Sequence, residues 1–186
     1  VDLDSDGKQD IVSTLYYANE IVWFRNIGNN DFVLSTIDNQ SIGAYNAKTI
    51  DIDTDGDLDI YSASYWDNTI AWFENDGSQN FLKHIIDSTA FGAHDVSLAD
   101  VNLDGYIDII AAVFKDNSIV WYENDGEENF KKNVIVKNAI GAHAVINVDI
   151  DFDGDIDIIS ASKNGNHILW HENQLKKLNI DSIDPI

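Results

Sequence analysis

The chain contains no cysteine and no methionine, only one proline, and only 11 lysine and arginine residues against 33 acidic residues. The lack of cysteine excludes disulfides, cysteine–zinc sites and thiol catalysis. The formal net charge of −22 argues against nucleic acid as a partner, because neutralising a phosphate backbone needs clustered lysine and arginine. The absence of methionine indicates that the start of the chain is processed or cut.

Long apolar runs are absent as well. No stretch approaches the roughly 18 apolar residues of a membrane helix, and the start lacks a signal-peptide pattern. The 186 residues are nevertheless 44% hydrophobic and 11% aromatic, which is enough for a packed core. We therefore expect a globular protein that is not embedded in a membrane.

The sequence does contain a repeat. The pattern Asp-x-Asp-x-Asp-Gly-x-x-Asp occurs at residues 2–10, 51–59 and 149–157, and a variant with Asn102 at its third position occurs at residues 100–108. The first residues of these loops are 49 residues apart. A tryptophan column and an asparagine column keep the same spacing: Trp23, Trp72, Trp121 and Trp170, and Asn26, Asn75, Asn124 and Asn173. A copied structural unit therefore sets the fold.

Each unit has the pattern of four short strands. In the third repeat they are predicted at residues 92–99, 108–114, 118–123 and 130–136, with the Asp-rich loop between the first two. No unit offers a window of about 11 residues with helical apolar spacing. Periods of about 40 to 50 residues built from short strands are typical of propeller blades. The sequence predicts an all-β propeller of four-stranded blades, with the tryptophan column packed between blades.

The repeats also predict the organisation of the chain. Residues 1–173 are assigned to about four blades, with repeats starting near residues 2, 51, 100 and 149. The first blade lacks its inner strand, and residues 174–186 depart from the repeat as a linker or tail. We expect the blades to belong to a larger ring of seven or eight blades, flanked by further blades or another domain. A ring completed by another chain and a permuted ring of four blades remain as alternatives.

The Asp-rich loops have the ligands of a calcium site. Carboxylates at positions 1, 3, 5 and 9, with the backbone carbonyl of position 7, supply the hard oxygen atoms that Ca²⁺ prefers. An EF-hand is excluded because position 12 holds serine or alanine instead of glutamate and the flanks are strand-like. Loop three carries Asn102 in place of a carboxylate and is predicted to be the weakest of about four sites. The predicted metal positions are Asp2, Asp4, Asp6, Lys8, Asp10, Asp51, Asp53, Asp55, Asp57, Asp59, Asp100, Asn102, Asp104, Tyr106, Asp108, Asp149, Asp151, Asp153, Asp155 and Asp157.

These loops, placed between the first two strands of a unit, resemble the FG-GAP or VCBS type repeat of integrin-alpha-like propellers. The chain departs from that repeat where Gly-Ala-Pro would follow the loop, since it has Ser-Ala-Ser or Ala-Ala-Val. Its Gly-Ala-His and Trp-x-x-Asn elements are similar to repeats of secreted bacterial proteins, including propellers attached to polysaccharide lyases and sugar dehydratases. The resemblance implies calcium-bound modules that are often adhesive or carbohydrate-related. Asp-based loops work best at about millimolar calcium, so we expect a secreted or cell-surface protein.

A second face is predicted on the rim opposite the loops, where the first strands begin and the next hairpins turn. Imidazole, phenol and indole groups there suit sugar stacking and hydrogen bonding. The candidate ligand-binding residues are Tyr17, Tyr45, Trp66, His94, Lys115 and His143. The two histidines could equally cap an inner strand by bonding to its backbone.

Two functions are consistent with this rim. The first is a non-catalytic, calcium-stabilised binding or adhesion module that recognises carbohydrate or an extracellular protein. The alternative is the propeller domain of a polysaccharide lyase or sugar dehydratase, in which His94 or His143 abstracts a proton and Tyr45 assists. Repetition at equivalent positions favours multivalent recognition, so no catalytic residue is assigned.

Overall fold

The structure is a computed structural model that describes residues 1–175. In that range the chain forms 14 strands and no helix, arranged in four antiparallel sheets that follow one another along the chain. We name them sheets 1 to 4. The prediction of an all-β fold with repeated four-stranded units is confirmed, and the strands of the third repeat lie within one residue of their predicted bounds.

Each sheet is a simple meander with antiparallel neighbours. Sheet 1 contains β1 (Ile11–Leu15), β2 (Glu20–Gly28) and β3 (Asp31–Asp38). Sheet 2 contains β4 (Ala44–Ile50), β5 (Asp59–Ser64), β6 (Thr69–Asn75) and β7 (Phe81–Asp87). Sheet 3 contains β8 (Ala93–Ala99), β9 (Asp108–Val113), β10 (Ser118–Asn124) and β11 (Phe130–Val136). Sheet 4 contains β12 (Ala142–Val148), β13 (Asp157–Ser162) and β14 (His167–His171).

The core lies between successive sheets. Three apolar clusters join sheet 1 to sheet 2, sheet 2 to sheet 3, and sheet 3 to sheet 4. The second strands β5 and β9 are buried along their whole length. Small residues such as Ala63 and Ala112 allow this close approach from both sides. The face-to-face stacking explains why these strands have no alternation of polar and apolar residues.

The tryptophan column shows where this stacking stops. Trp23 and Trp72 are 3% and 1% exposed, and Trp121 packs partly buried against the cluster between sheets 3 and 4. Trp170 is 48% exposed, because no sheet follows sheet 4 within residues 1–175. The expectation of packing between blades therefore describes three of the four tryptophans of this column.

Hydrogen bonds from hairpin tips also tie successive sheets together. The side-chain oxygens of Asn19, Asn68 and Asn117 accept the backbone N–H of Gly43, Gly92 and Gly141, at 2.9, 3.0 and 2.8 Å. Each asparagine has a positive φ, between 53° and 62°, which asparagine tolerates better than most residues. One residue type therefore shapes the hairpin and anchors the first strand of the next sheet.

This arrangement predicts unequal effects for one substitution at two equivalent turns. Asn68→Ala removes the acceptor for Gly92 and places alanine at a positive φ of 61°. Asn166→Ala changes the same turn, at φ 53°, where no following sheet is described. We expect Asn68→Ala to lower the free energy of unfolding by about 1 kcal/mol more than Asn166→Ala does. Urea denaturation of both variants tests this difference; equal losses would show that the hydrogen bond between sheets contributes nothing.

The two ends of the described chain differ from a full four-stranded repeat. Sheet 1 has three strands, and its first strand follows the first Asp-rich loop. Of the predicted linker or tail at residues 174–186, only Gln174 and Leu175 are described, and the remainder lies outside the described residues. In the described part, no helix is long and apolar enough to cross a membrane.

Candidate metal loops and the opposite rim

Three of the four Asp-rich loops gather carboxylates. Ligand atoms of three aspartates lie within 4.8 Å of one another in each of loops 1, 2 and 4. The groups are Asp2, Asp4 and Asp6 in loop 1, Asp51, Asp53 and Asp59 in loop 2, and Asp149, Asp151 and Asp157 in loop 4. Asp55 and Asp153, predicted as ligands at position 5, lie outside these groups.

Loop 3 differs because Asn102 replaces a carboxylate. Within residues 1–175 its acidic residues form no comparable group. The Asn102 amide Nδ2 donates to Asp104 at 2.8 Å, and Asp100 accepts the N–H of Asp104 and Gly105 at 3.1 and 2.9 Å. The amide of Asn102 thus donates to an oxygen that was predicted as a metal ligand. That loop 3 is the weakest site stays a prediction.

The loops hold their shape through backbone bonds to their own carboxylates. In loop 2, Asp51 accepts the N–H of Gly56 at 3.1 Å, and Asp55 accepts that of Asp57 at 2.9 Å. Gly56 has a φ of 101°, which a residue with a Cβ rarely adopts. The glycine in the motif is thus required by the turn and needs no metal to explain it.

Loops 1, 2 and 4 also retain buried carboxylate oxygens with no hydrogen-bond partner. They are Asp4 Oδ1, Asp51 Oδ1, Asp149 Oδ1 and Asp153 Oδ2. A buried carboxylate oxygen without a donor carries a desolvation cost. Burial raises the pKa of Asp53, and the neighbouring carboxylates of Asp55 and Asp51 raise it further, while the N–H of Asp55 opposes them. A hard divalent cation would give a partner to the oxygens of Asp4, Asp51 and Asp149, which belong to the three carboxylate groups, so this donor set fits calcium.

The aspartate at position 9 has a second role that the sequence did not indicate. Asp59 is fully buried, and its two oxygens accept the N–H of Ile52 at 3.3 Å and of Asn75 at 2.8 Å. It therefore joins the loop to the third strand of its sheet. Burial raises the pKa of Asp59 to about 7, although both backbone bonds oppose the shift. Asp10, Asp108 and Asp157 make the same pair of bonds in their own repeats.

The asparagine column completes this connection. The Asn75 amide donates to Leu58 O at 3.1 Å, beside the second strand, and to Leu3 O at 3.3 Å in the loop of the preceding sheet. Asn173 repeats both bonds, to Ile156 O at 3.2 Å and to Val101 O at 2.8 Å. The sequence signal was the alignment of asparagines at the repeat spacing, but spacing alone does not show which carbonyls they reach.

Position 7 was expected to offer only its backbone carbonyl. In loops 2 and 3 the side chain at this position lies at the turn that follows the third strand: Asp57 lies against Gly77 and Tyr106 against Gly126. Lys8 pairs with Asp6, and Asp155 is buried. The directions of Asp57 and Tyr106 are compatible with a carbonyl ligand at this position, whereas Lys8 contacts a carboxylate of the loop 1 group.

On the opposite rim, the structure brings Tyr45, His94 and His143 together from the starts of β4, β8 and β12. The ring centroids of Tyr45 and His94 are 3.6 Å apart, and those of His94 and His143 are 3.9 Å apart. Burial and, to a lesser extent, the neighbouring His143 lower the pKa of His94 to about 4. His94 is therefore neutral at pH 7.

The hairpin tips surround this cluster with exposed aromatic rings. Trp66 is 56% exposed and Tyr17 is 95% exposed. The Lys115 ammonium lies 4.6 Å from the Trp66 ring and 4.4 Å from the Tyr65 ring. Lys115 therefore contacts Trp66 of the preceding sheet. Tyr17 contacts the ring of Tyr16, which in turn contacts the ring of Tyr45.

Three rim residues were missed by sequence reasoning. Ile42, Phe91 and Ile140, each directly before a Gly-Ala pair, are 48%, 50% and 52% exposed. The backbone carbonyl of Ile42 accepts the N–H of Trp66 at 3.1 Å, and that of Phe91 accepts the N–H of Lys115 at 3.1 Å. The available signal was an apolar residue at the same turn position in three repeats. Apolar groups repeated at an exposed turn extend the rim into a belt suited to contact.

The loops and the rim lie at opposite ends of the first strands. In sheet 3, β8 spans seven residues, with His94 near its start and the loop after its end. At about 3.3 Å per residue, the two regions are about 20 Å apart. Metal bound in a loop would therefore act on the rim only by holding the sheets together.

The comparisons with known proteins agree with this architecture. The family model described as FG-GAP-like repeat matches residues 2–62, 51–111 and 100–160. A search of curated proteins found no match.

Among solved structures, a triple arginine-to-alanine variant of AofleA from Arthrobotrys oligospora matches with a TM-score of 0.51 and 14% identity. AofleA itself matches with a TM-score of 0.49 and 15% identity. Each alignment covers 81% of this chain and 45% of the other, so the chain spans about half the length of these structures. The first likeness supports a propeller-like fold, and the three repeat matches show that the chain belongs to the FG-GAP-like repeat family.

Proposed function

We propose that the chain is a non-catalytic, calcium-stabilised binding or adhesion module that works outside the cell or at its surface. Its calcium would be held by the Asp-rich loops, and it would recognise carbohydrate or an extracellular protein on the opposite rim. The observation that carries the proposal is the exposed belt of aromatic and apolar side chains, contributed by equivalent positions of successive sheets at the strand starts and hairpin turns.

The belt fits recognition because its groups are exposed although most of the apolar side chains of the strands are buried. Trp66, Tyr45 and Phe91 present rings at 56%, 42% and 50% exposure. Aromatic faces stack on the apolar faces of sugars and also anchor protein interfaces. Lys115, next to Trp66, adds a cation that can bond to hydroxyl or carboxylate groups.

A lyase or dehydratase remains the second candidate, because His94 is neutral at pH 7 and contacts the Tyr45 ring. His94 is, however, only 5% exposed, and its ring faces other rings on both sides. A general base must come within hydrogen-bond reach of the proton that it removes. This packing favours a positioning role for His94, which supports binding over proton abstraction.

A matched pair of tryptophan variants tests the proposal. On a glycan array and a panel of extracellular-matrix proteins, at millimolar calcium, we expect Trp66→Ala to weaken binding by about tenfold or more. Trp170→Ala serves as the control, since Trp170 is 48% exposed but lies on the side of sheet 4 instead of the rim. Equal effects of both variants would contradict recognition by the rim. A rise in ultraviolet absorbance on incubation with uronate polysaccharides would instead indicate eliminative cleavage.

A further inference from the structure

The residue directly before the repeated asparagine differs in charge from sheet to sheet, and we call its place the pre-asparagine position. It lies on β2, β6 and β10 and directly after β14, where the chain has Arg25, Glu74, Glu123 and Glu172 in that order. Three repeats therefore present a carboxylate where the first presents a guanidinium. This reversal of charge coincides with a difference in the contacts of the Asp-rich loops.

In sheet 1 the side chain at this position reaches the loop. Arg25 Nε lies 2.8 Å from Oδ2 of Asp4, the aspartate at position 3 of loop 1. The Asp4 side chain is 3% exposed, although that of Arg25 is 39% exposed. The other oxygen, Asp4 Oδ1, is buried and has no hydrogen-bond partner. Arg25 thus supplies a positive charge to one of the three aspartates that form the loop 1 group.

The acidic residues at the pre-asparagine position lie beside their own loops in the same way. Burial is the main cause of the raised pKa of Asp53, at position 3 of loop 2, and the charge of Glu74 contributes to it. In sheet 3, Glu123 lines the same cleft as Asp104, at position 5 of loop 3. The position therefore adjoins the loop in all three sheets, but with a positive charge in sheet 1 and a negative charge in sheets 2 and 3.

Loop 1 contains a second basic residue. Lys8, at position 7, forms an ion pair with Asp6, whereas position 7 of loop 2 holds Asp57. Loop 1 together with Arg25 has four aspartates and two basic side chains, while loop 2 together with Glu74 has six acidic side chains and no basic one. The number of charged groups around a calcium loop is one of the factors that set its affinity. Loop 1 therefore attracts a divalent cation less strongly than loop 2 does.

We propose that Arg25 is a resident cation of loop 1. Its guanidinium offsets the repulsion between the aspartates, which is the role proposed for calcium in loop 2. Loop 1 thus keeps its shape without metal and binds calcium more weakly than loop 2. The side chain at the pre-asparagine position then sets how strongly each loop depends on metal. This inference rests on the proposed function in one respect, namely that loop 2 takes up calcium.

The glycine of each loop is a local probe for this difference. Gly7, Gly56 and Gly154 each donate a backbone N–H to the first aspartate of their loop, at 2.9, 3.1 and 3.1 Å. A calcium titration of the full chain, followed by amide proton–nitrogen NMR spectra, reports the calcium concentration at which each glycine signal shifts. We expect Gly56 and Gly154 to shift together and Gly7 to need at least about tenfold more calcium. Equal midpoints for Gly7 and Gly56 would overturn the proposal.

Exchanging the charges between sheets 1 and 2 tests the residue itself. In Arg25→Glu the calcium midpoint of Gly7 should fall by about tenfold, and in Glu74→Arg that of Gly56 should rise by about tenfold. Glu20→Arg is the matched control, because it changes the net charge as Glu74→Arg does but lies at the other end of β2, paired with Leu15. It should leave both midpoints within about twofold. The proposal is wrong if Arg25→Glu leaves the Gly7 midpoint where it was.

Urea unfolding in chelator separates this proposal from the calcium hypothesis. Arg25→Gln should lower the urea midpoint, because the buried carboxylate of Asp4 loses its ion-pair partner. Glu74→Gln should leave the midpoint unchanged or raise it, because loop 2 loses a repelling charge. If no loop glycine responds to calcium, calcium stabilisation is wrong, and a loss confined to Arg25→Gln still supports the resident cation. If Arg25→Gln costs no more than Glu74→Gln, Arg25 does not have this role.

Discussion

Removal of calcium is expected to lower the melting temperature of the chain by about 10 to 20 °C. If each site has a dissociation constant of about 0.1 mM, millimolar calcium contributes about 1.4 kcal/mol per site. Three groups of three carboxylates each and a weaker third loop then contribute about 4 to 6 kcal/mol in total, and 1 kcal/mol corresponds to about 2 to 4 °C in a chain of this size. Calorimetry with 1 mM calcium and with chelator, at constant ionic strength, measures the shift.

Loop 3 provides the control for this experiment. Asn102→Asp restores the missing carboxylate and removes the amide that donates to Asp104. It should raise the melting temperature in calcium, because the ion gains a charged ligand, and lower it in chelator, because the added charge repels its neighbours. Magnesium should restore less stability than calcium, since it requires a compact octahedron and retains water. A melting temperature that chelator leaves unchanged would contradict calcium stabilisation.

The repeat explains why so much of the fold was predictable. Because the period of 49 residues has no insertions, three or four copies of each strand can be compared to find its bounds. Turn residues such as Gly92 and Asn117 mark where the strands end. The predicted strands of sheet 3 match β8 to β11 to within one residue. Local signals suffice here because each sheet is a meander of neighbours along the chain, so no long-range pairing has to be guessed.

Contacts between repeats were less predictable from the residues. The alignment showed that Asn75 and Asp59 recur, but their bonds to Leu3 and Ile52 depend on how the loops fold back onto the strands. The exposure of Trp170 likewise follows from what packs beside sheet 4, and its side chain type is the same as that of buried Trp72. Sequence periodicity identifies equivalent positions, whereas burial depends on neighbours that the periodicity does not specify.

On the rim, the contact of three rings was predicted from the sequence, whereas the exposure of two apolar residues was not. Tyr45, His94 and His143 were placed together because they share one column near the start of the inner strand, and their rings do meet. Ile42 and Phe91 were overlooked because an apolar residue before a turn is usually buried. They are about half exposed, at 48% and 50%, since the Gly-Ala pairs that follow them turn the chain inward while these side chains stay at the surface.

The second large effect is expected from Asp59→Asn, which separates the structural role of the position 9 aspartate from metal binding. Asparagine can accept only one of the two backbone N–H groups that Asp59 binds, and its amide group would face the other. Asp59 is fully buried, so water cannot replace the lost acceptor. We expect the free energy of unfolding to fall by about 2 to 4 kcal/mol.

Asp53→Asn in the same loop is the matched control. Asp53 accepts one N–H, from Asp55 at 3.2 Å, and the asparagine oxygen can keep that bond. Its cost should be about 1 kcal/mol in calcium, and in chelator it should vanish or reverse, because the loop loses a repelling charge. Urea denaturation at pH 8, above the raised pKa of Asp59 of about 7, compares both variants with and without calcium. The cost of Asp59→Asn should persist in chelator, because two buried N–H groups need an acceptor whether or not an ion is bound; if it disappears there, Asp59 is a metal ligand and does not join the loop to the strand.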